Sequence, residues 1–345
     1  MTDIKSLTFD ELNSEITSIG LPKFRTGQIY SWLHEKGVDS FDEMTNLSKD
    51  LREKLKQNYF IPSIKIEDKY VSKIDSTVKY LFKLYDGEYV EAVIMKYKYG
   101  YTICISSQVG CKMGCRFCAS TLAGFKRNLL PSEMESQLHT AQKDLNIRIS
   151  HIVLMGIGEP LDNYENVIKF IKTVNNDKGL NISMRDITLS TCGIVPKIYD
   201  LANEQMPITL TLSLHAPNDK IRSSMMPVND KWGVDEAIAA CKNYANKTGR
   251  RVSFEYTLIN GVNDTEECAK QLASKLAGIL CHVNLIPVND VEERGNVRST
   301  DKSIKNFCEA LYSLGINATI RRTLGSDINA SCGQLRRKKN EGEIQ

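Results

Sequence analysis

The 345-residue sequence has no long apolar run, no leader-like start, no internal repeat and no low-complexity tract. The first two absences exclude a membrane-spanning helix and point to a cytoplasmic protein in a reducing compartment. The other two exclude a solenoid or a fibre. Net charge is scarce as well: 45 Lys and Arg against 42 Asp and Glu leave +3, too little to require a polyanionic partner on bulk charge. The basic residues are instead concentrated, with Arg321-Arg322 and Arg336-Arg337-Lys338-Lys339 near the C-terminal end. Such a patch attracts phosphates, although a solvated tail has the same composition.

Cysteine is what the chain has in quantity, with ten residues. In a reducing compartment they stay available for ligation and redox work rather than for a disulfide scaffold. Cys241, Cys268, Cys281 and Cys308 fall in helix or strand patterns and read as packing residues. Cys111-Lys-Met-Gly-Cys115-Arg-Phe-Cys118 is different, placing three thiols in C-x3-C-x2-C spacing within a glycine-punctuated loop. Iron–sulfur clusters usually take four cysteine thiolates, so a compact set of three leaves one iron of a 4Fe–4S cube open to a substrate or cofactor. A zinc knob would want a fourth Cys or His close by, and the nearest histidine is His139. Three packed thiols are the remaining reading.

Apolar residues from Leu7 to about Tyr59 recur at helical spacing: Leu12, Ile16 and Ile19, then Ile29, Trp32 and Leu33. Thr8 or Asp10 caps the first helix and Gly20-Leu-Pro22 stops it. This predicts an N-terminal helical domain over residues 1–60, with Trp32 in its core or serving as a base-stacking platform. From Ile64 to Ser107 the period changes to two. Thr77 to Leu84 and Tyr89 to Met95 flank Asp86-Gly87, which predicts a hairpin in a connecting segment, 61–97. Glu91 in its second strand has the pattern of an ordinary solvent-facing carboxylate.

Beyond the cysteine loop, helices and strands alternate. Helices are expected at 131–145, 164–174 and 196–201, and strands at 152–155, 186–190, 208–213, 252–256, 282–286 and 318–321. This α/β pattern predicts a parallel sheet curled into part of a barrel over residues 98–325, followed by a C-terminal segment, 326–345. The polar stretch Asn289 to Asp301 reads as a surface loop. In such barrels the site lies at the C-terminal ends of the strands, which gathers Gly158, Glu159, Ser190, Ser213 and His215.

The cysteine loop resembles that of the radical S-adenosylmethionine (radical SAM) superfamily. Further runs narrow the resemblance: Ile103 to Cys111, Met155-Gly-Ile-Gly-Glu-Pro160, Ser213-Leu-His-Ala-Pro-Asn218, Met226-Pro-Val-Asn-Asp230 and Asp327 to Leu335. Together they resemble the RlmN/Cfr family of radical SAM RNA methyltransferases over nearly the whole chain. The resemblance implies a partial (β/α)6 TIM-like radical SAM barrel with an N-terminal helical domain and a short β-rich connecting segment. It implies methylation of carbon 2 of adenine in 23S rRNA, at the peptidyl-transferase centre, and in tRNA, 3′ of the anticodon. Its implied cofactors are a 4Fe–4S cluster held by Cys111, Cys115 and Cys118, and two molecules of SAM per turnover, contacted by Gly158, Glu159, Ser190, Ser213, Leu214, His215 and Asn284.

By the same resemblance Cys332 carries the methyl group as an S-methylcysteine and forms a covalent protein–RNA intermediate. Glu91 then accepts a proton, and Cys104 releases the RNA by forming a disulfide with Cys332. Taken alone, Cys104 passes for a buried strand thiol, His215 for a structural histidine and Gly156 to Glu159 for a plain turn. The implied partners are 23S rRNA, tRNA and a cytosolic electron donor such as flavodoxin, with no membrane. The helical domain and Arg336 to Lys339 are the expected RNA contacts. Two features depart from the family pattern: Cys192 stands where a serine is usual, and Asn289 to Asp301 lacks the proline-rich form. The alternatives are carbon-8 methylation of the same rRNA adenosine, which confers antibiotic resistance, a non-catalytic cluster-bearing RNA-binding protein, and a radical SAM enzyme of a peptide or small molecule. The last leaves Cys332 without a purpose, while Glu159-Pro160 and Asn284-Leu-Ile-Pro287 favour carbon 2.

Overall fold

The computed structural model of the protein describes residues 1–287, 297–328 and 330. Three helices open the chain: α1 (Phe9–Ser18), α2 (Phe24–Tyr30) and α3 (Lys49–Asn58). Thr8 caps α1 in a reciprocal box, its hydroxyl accepting from the Glu11 N–H while the Glu11 carboxylate accepts from the Thr8 N–H at 2.9 Å. A π-helical turn, Ser31–Glu35, continues α2. Leu12, Ile16, Ile29, Leu33, Leu51 and Leu55 pack into a cluster of their own, with Trp32 half-buried at its edge.

Ten strands make one sheet. β1 (Lys65–Val71), β2 (Val78–Lys83), β3 (Tyr89–Tyr97) and β4 (Gly100–Cys104) pair antiparallel in sequence order. From β4 onward every pairing is parallel, through β5 (Ile149–Leu154), β6 (Ile187–Thr191), β7 (Thr209–Ser213), β8 (Val252–Leu258), β9 (Cys281–Pro287) and the short β10 (Ala318–Ile320). The crossovers carry α4 (Pro131–Leu145), α5 (Tyr164–Asn175), α6 (Val195–Asn203), α7 (Asp219–Met225) with α8 (Val234–Thr248), α9 (Glu266–Leu276) and α10 (Asp301–Ser313). These are six β/α units and a final strand. Among the described residues β1 and β10 have one partner each, so the sheet curls into a partial barrel without closing. The hairpin forms at Asp86-Gly87, but β1 to β3 do not stand apart: β4 takes the free edge of β3 and joins them to the barrel sheet.

Alternation along the parallel strands sorts two faces. Ile152, Leu154, Leu189, Leu212, Phe254 and Leu285 point outward into the layer filled by the helices and are buried there. Each such side chain contributes about 1.5–3 kcal/mol of burial free energy. Their chain neighbours, among them Val153, Ser190, Ser213 and Glu255, face the lumen instead. After β10 the chain returns to the turn between β1 and β2. There the Asp327 carboxylate accepts from the Ser72 hydroxyl at 2.7 Å and the Lys73 N–H at 2.8 Å, and Asp75 accepts from the Gly325 N–H at 2.8 Å. No helix among the described residues is long and apolar enough to cross a membrane.

Candidate active site

Cys104 ends β4, and the chain then leaves the sheet in a loop closed at its base by a short ladder, Gln108–Val109 against Arg127–Asn128. Bonds from Lys126 N–H to the Val109 carbonyl (2.8 Å) and from Leu129 N–H to the Ser107 carbonyl (3.1 Å) extend that clasp. Within it Cys111, Cys115 and Cys118 line one cavity of about 300 Å³ at the mouth of the lumen. Burial pushes the Cys111 thiol up to about 12 and Cys115 higher still, and the neighbouring thiols add to both effects. Such thiols resist ionising together unless a cation compensates, which ligation to iron does. Among the described residues no three His, Cys, Asp or Glu side chains converge on the position of a single metal ion. Three thiols lining one cavity are the donor set of a 4Fe–4S cluster that keeps one iron open.

The turn Gly156 to Glu159 follows β5. A Cβ on Gly156 would lie 2.4 Å from the Ile105 carbonyl oxygen, and one on Gly158, at φ 113, would lie 2.6 Å from the Gln108 Cβ. The glycines seat this turn against the start of the cysteine loop, a demand of the protein's own packing as much as of any ligand. Gln108 joins the two segments. Its Oε1 accepts from the Glu159 N–H at 2.9 Å, and its Nε2 donates to Asn128 and Asp162 at 2.8 Å each. Glu159 lines the cavity, but its oxygens already accept backbone bonds, Oε1 from Leu161 (3.0 Å) and Oε2 from Cys192 (2.7 Å). Burial raises its pKa against the effect of those bonds. Cys192 lines the same cavity, and burial, with the Glu159 charge adding, pushes its thiol well up and keeps it protonated.

Ser190 and Ser213, on neighbouring strands, line the cavity with their hydroxyls 3.3 Å apart. Leu214 turns its side chain into the outer core and offers the site only backbone. His215 adopts a left-handed φ of 58, a conformation that costs a residue with a β-carbon about 1 kcal/mol or more. Two bonds hold it there: its Nδ1 accepts from the Thr257 N–H (2.9 Å) and its carbonyl from the Asn263 amide (2.7 Å). Because Nδ1 accepts, the neutral ring carries its proton on Nε2. Burial, reinforced by Arg222, lowers the pKa to about 3, so the ring is neutral at physiological pH. Phe117 of the cysteine loop packs edge-on against it at 4.9 Å. Asn284 meets the cavity through Glu255: its amide nitrogen donates to Glu255 Oε1 (3.2 Å), and its oxygen accepts from Thr319 (3.1 Å).

Sequence reasoning missed three residues that organise this arrangement. Gln108 sits three positions before Cys111, close enough to the cysteine loop to have been examined with it. Glu255 is a carboxylate on the lumen phase of a core strand, a signal that alternation could have given. Arg222 has no comparable signal. It is wholly buried and donates to the carbonyls of Leu214 (3.0 Å), Cys192 (2.6 Å) and Ser213 (3.2 Å) and to Asn229 Oδ1 (3.1 Å), tying the ends of β6 and β7 together.

Glu91 is 2% exposed and pairs with the buried Lys79 at 3.0 Å, so it is not the solvent-facing carboxylate that its strand pattern suggests. β2 and β4 flank its strand. Val93, two positions along the same face, pairs with Cys104. Cys104 forms a cluster with Val93 and Met95, against which Val153, Met155, Leu324 and Ala330 pack. Glu91 and Cys104 thus share one face of the sheet, and the C-terminal segment reaches it at Ala330. Cys332, Arg336 to Lys339 and residues 289–296 lie outside the described residues.

Residues 2–61 match the family described as ribosomal RNA large subunit methyltransferase N-terminal domain, and residues 105–272 match the radical SAM superfamily. A probable dual-specificity RNA methyltransferase RlmN of Lachnospira eligens is 54% identical over 341 residues, which cover 99% of this chain and 97% of the relative. Its counterpart in Lachnoclostridium phytofermentans is 56% identical over 335 residues, 97% of this chain and 94% of the relative. A solved radical SAM methyltransferase from Sphaerobacter thermophilus superposes with a TM-score of 0.91 at 40% identity, over 97% of this chain and 99% of that one.

Proposed function

We propose, for a chain that belongs to the RlmN family of dual-specificity RNA methyltransferases within the radical SAM superfamily, that it methylates carbon 2 of adenine in both 23S rRNA and tRNA. The family is enzymatic, acts on RNA and uses a 4Fe–4S cluster and SAM. When bound, the cluster supplies the electron that opens SAM reductively, drawn from a cytosolic donor of the flavodoxin kind. The rest of the work falls to the chain's own residues. Cys111, Cys115 and Cys118 hold the cluster. Gly158, Glu159, Ser190, Ser213, Leu214, His215 and Asn284 bind SAM at the strand ends.

The observation that carries this reading is the cluster that contains Cys104. A carbon-2 methylation that proceeds through a sulfur carrier needs a second thiol within reach of the first. Leu324 and Ala330 pack against the cluster that Cys104 forms with Val93 and Met95, with Asp327 anchored between them on Ser72 and Lys73, and Cys332 follows two positions after Ala330. In this reading Cys332 bears the methyl group as S-methylcysteine, and once a hydrogen atom has gone from that methyl group to the radical that SAM would supply, its carbon bonds to carbon 2 of the base. Glu91, paired with Lys79, accepts the proton from carbon 2 as the adduct gives up one electron, which the cluster would take back. Cys104 then attacks the Cys332 sulfur, breaking its bond to the new methylene carbon, which takes a proton as the disulfide forms and the methylated RNA leaves.

The residue ranges 1–60, 61–97, 98–325 and 326–345 divide these tasks. At the tip of the helical domain Phe24 is 62% exposed, the Arg25 guanidinium lies 4.9 Å from its ring and Lys23 stands beside them. An aromatic face edged by cations suits stacking on an unpaired base and contact with phosphates. Both RNAs are found in the cytoplasm, where the reading places the enzyme.

Anaerobic reconstitution with SAM, reductant and either RNA, followed by digestion and identification of the methyladenosine isomer, tests the proposal. 2-Methyladenosine is expected from both RNAs, no turnover from Cys332→Ala, and a trapped protein–RNA species from Cys104→Ala. An 8-methyl product would overturn the carbon assignment, and turnover by Cys332→Ala would overturn the carrier.

A further inference from the structure

Arg222 of α7 is wholly buried, yet every acceptor of its guanidinium among the described residues is neutral: the carbonyls of Leu214, Cys192, Ser213 and Trp232, and Asn229 Oδ1. Asp219, exposed at the start of the same helix, meets it through Asn229, whose Nδ2 donates to Asp219 Oδ1 at 3.1 Å. A full charge buried among neutral groups is costly and calls for a compensating charge nearby. Burial works against the charge, but a guanidinium stays protonated at neutral pH. The packing of α7 shows what it faces. Cys192, whose carbonyl accepts from Nη2 at 2.6 Å, shares one packed cluster with Cys115 and with Met225 and Met226 at the end of α7. The Arg116 N–H, next to Cys115, donates to the Met225 carbonyl at 2.8 Å and stitches the cysteine loop to this helix. The field of Arg222 reaches the Cys115 and Cys192 thiols, where it opposes the effect of burial. Lys112, Arg116 and Arg321, by contrast, are exposed, and water and ions screen them.

We infer that Arg222 is a positioning residue for the electron, a fixed buried cation behind Cys115 that raises the reduction potential of the cluster held there. The inference rests on the reading of Cys111, Cys115 and Cys118 as cluster ligands. Reduction brings one electron from the donor, which is itself oxidised, onto a cluster that three thiolates already make negative. A fixed cation in a low-dielectric interior favours the form with the extra negative charge, and net local charge is one of the levers that set such potentials. The same interaction supplies the compensation that Arg222 lacks among its hydrogen-bond partners. Its bonds to three carbonyls and Asn229 hold the guanidinium in one place, so the charge needs no reorganisation when the electron arrives.

The test is a reductive titration of the anaerobically reconstituted protein, without SAM or RNA, followed by the electron paramagnetic resonance signal of the reduced cluster. Arg222→Met should lower the midpoint potential, raising the ratio of oxidised to reduced cluster at a given potential about tenfold or more, which is about 59 mV for one electron. A paired variant, Asp219→Asn with Asn229→Asp, keeps Arg222 and the net charge but moves a carboxylate oxygen to the Asn229 Oδ1 position, 3.1 Å from the guanidinium. It should shift the ratio in the same direction by about threefold or more. A merely structural role for Arg222 would leave the paired variant at the wild-type potential. A smaller shift in either variant, or one of opposite sign, overturns the inference. Should Arg222→Met fail to fold or to hold the cluster, as judged by circular dichroism and iron and sulfide content, the paired variant decides alone. A wild type that reconstitutes without any cluster signal overturns the cluster reading itself.

Discussion

Two buried carboxylate environments in this molecule carry the same residue type at similar depth and behave in opposite ways. At the junction between the N-terminal helices and the barrel, Glu135 of α4 accepts from His34 Nδ1 at 2.8 Å and His139 Nε2 at 3.2 Å, beside the buried Lys5. Burial opposes its ionisation, but His34 and His139 win and hold its carboxyl far below the usual range. In the lumen, burial prevails over the hydrogen bonds and raises both Glu159 and Glu255. The difference lies in what each carboxylate faces. A junction carboxylate faced by two histidines and a lysine is held ionised, whereas at the lumen carboxylates the donors present do not offset the burial.

Glu135→Gln should have the largest effect. It removes the carboxylate that compensates Lys5, whose ammonium otherwise donates to the Ser136 hydroxyl at 3.1 Å inside the protein. Breaking a buried ionic network from one side costs about 3–5 kcal/mol, which a urea titration of the reconstituted protein would read, with SAM affinity unchanged. A loss below about 1 kcal/mol would break the comparison by reducing the junction to the level of a surface pair. Arg222→Lys comes next. Arg222 sits beside the lumen but is satisfied by several acceptors, so it belongs energetically with Glu135. Lysine cannot reproduce the planar fork, and a loss of about 2 kcal/mol is expected together with weaker SAM binding as the ends of β6 and β7 loosen. Weakened binding at full stability would show that satisfaction does not separate the two classes.

Acid sharpens the contrast. Glu135 has a folded pKa below its ordinary 4.5, so its contribution is fully present above about pH 4.5 and is lost as pH falls below that value. The stability gap between wild type and Glu135→Gln should therefore narrow on acidification past that point. Glu255 has a folded pKa above 4.5, so its contribution is present at low pH and is lost as pH rises through the folded value. Glu255→Gln should gain on wild type from pH 5 to pH 8, and urea midpoints across the series would show the two curves diverging.

Local pattern carried much of the fold. The helix expected at 131–145 is Pro131–Leu145, with proline in its first turn and Asn146 left-handed at its end. The strands from Ile149 onward lie within a few residues of expectation because outward apolar residues alternate with lumen-facing ones. The attachment of β1 to β3 to the barrel sheet was not legible, since a strand's pattern states that it has partners and not which ones. The cysteine loop was legible because its chemistry lies within a few consecutive positions. Arg222 and the His34–Glu135 pair were not, because each acts on groups remote in sequence: Cys192 lies 30 positions from Arg222, and His34 lies 101 from Glu135. Glu255 fell between these cases, visible in the strand phase but without a motif to mark it.

The smallest expected effect lies across the same junction as the largest. Lys169 of α5 reaches Glu11 of α1 at 2.5 Å, and both side chains are about 40% exposed. Glu11 keeps its bond to the Thr8 N–H through its other oxygen, so Lys169→Ala leaves the helix cap in place. Water and ions share the field of such a pair, and the long side chains lose conformational freedom in making it. A cost below about 1 kcal/mol is expected at low ionic strength, disappearing at about 1 M salt, where the screening length falls to about 3 Å. The Glu135 effect, shielded from solvent, should persist at the same salt. If Lys169→Ala proved as costly and as salt-insensitive as Glu135→Gln, the junction would draw its strength from pairing across it at any depth, and burial would no longer explain why one carboxylate contributes more to stability than another.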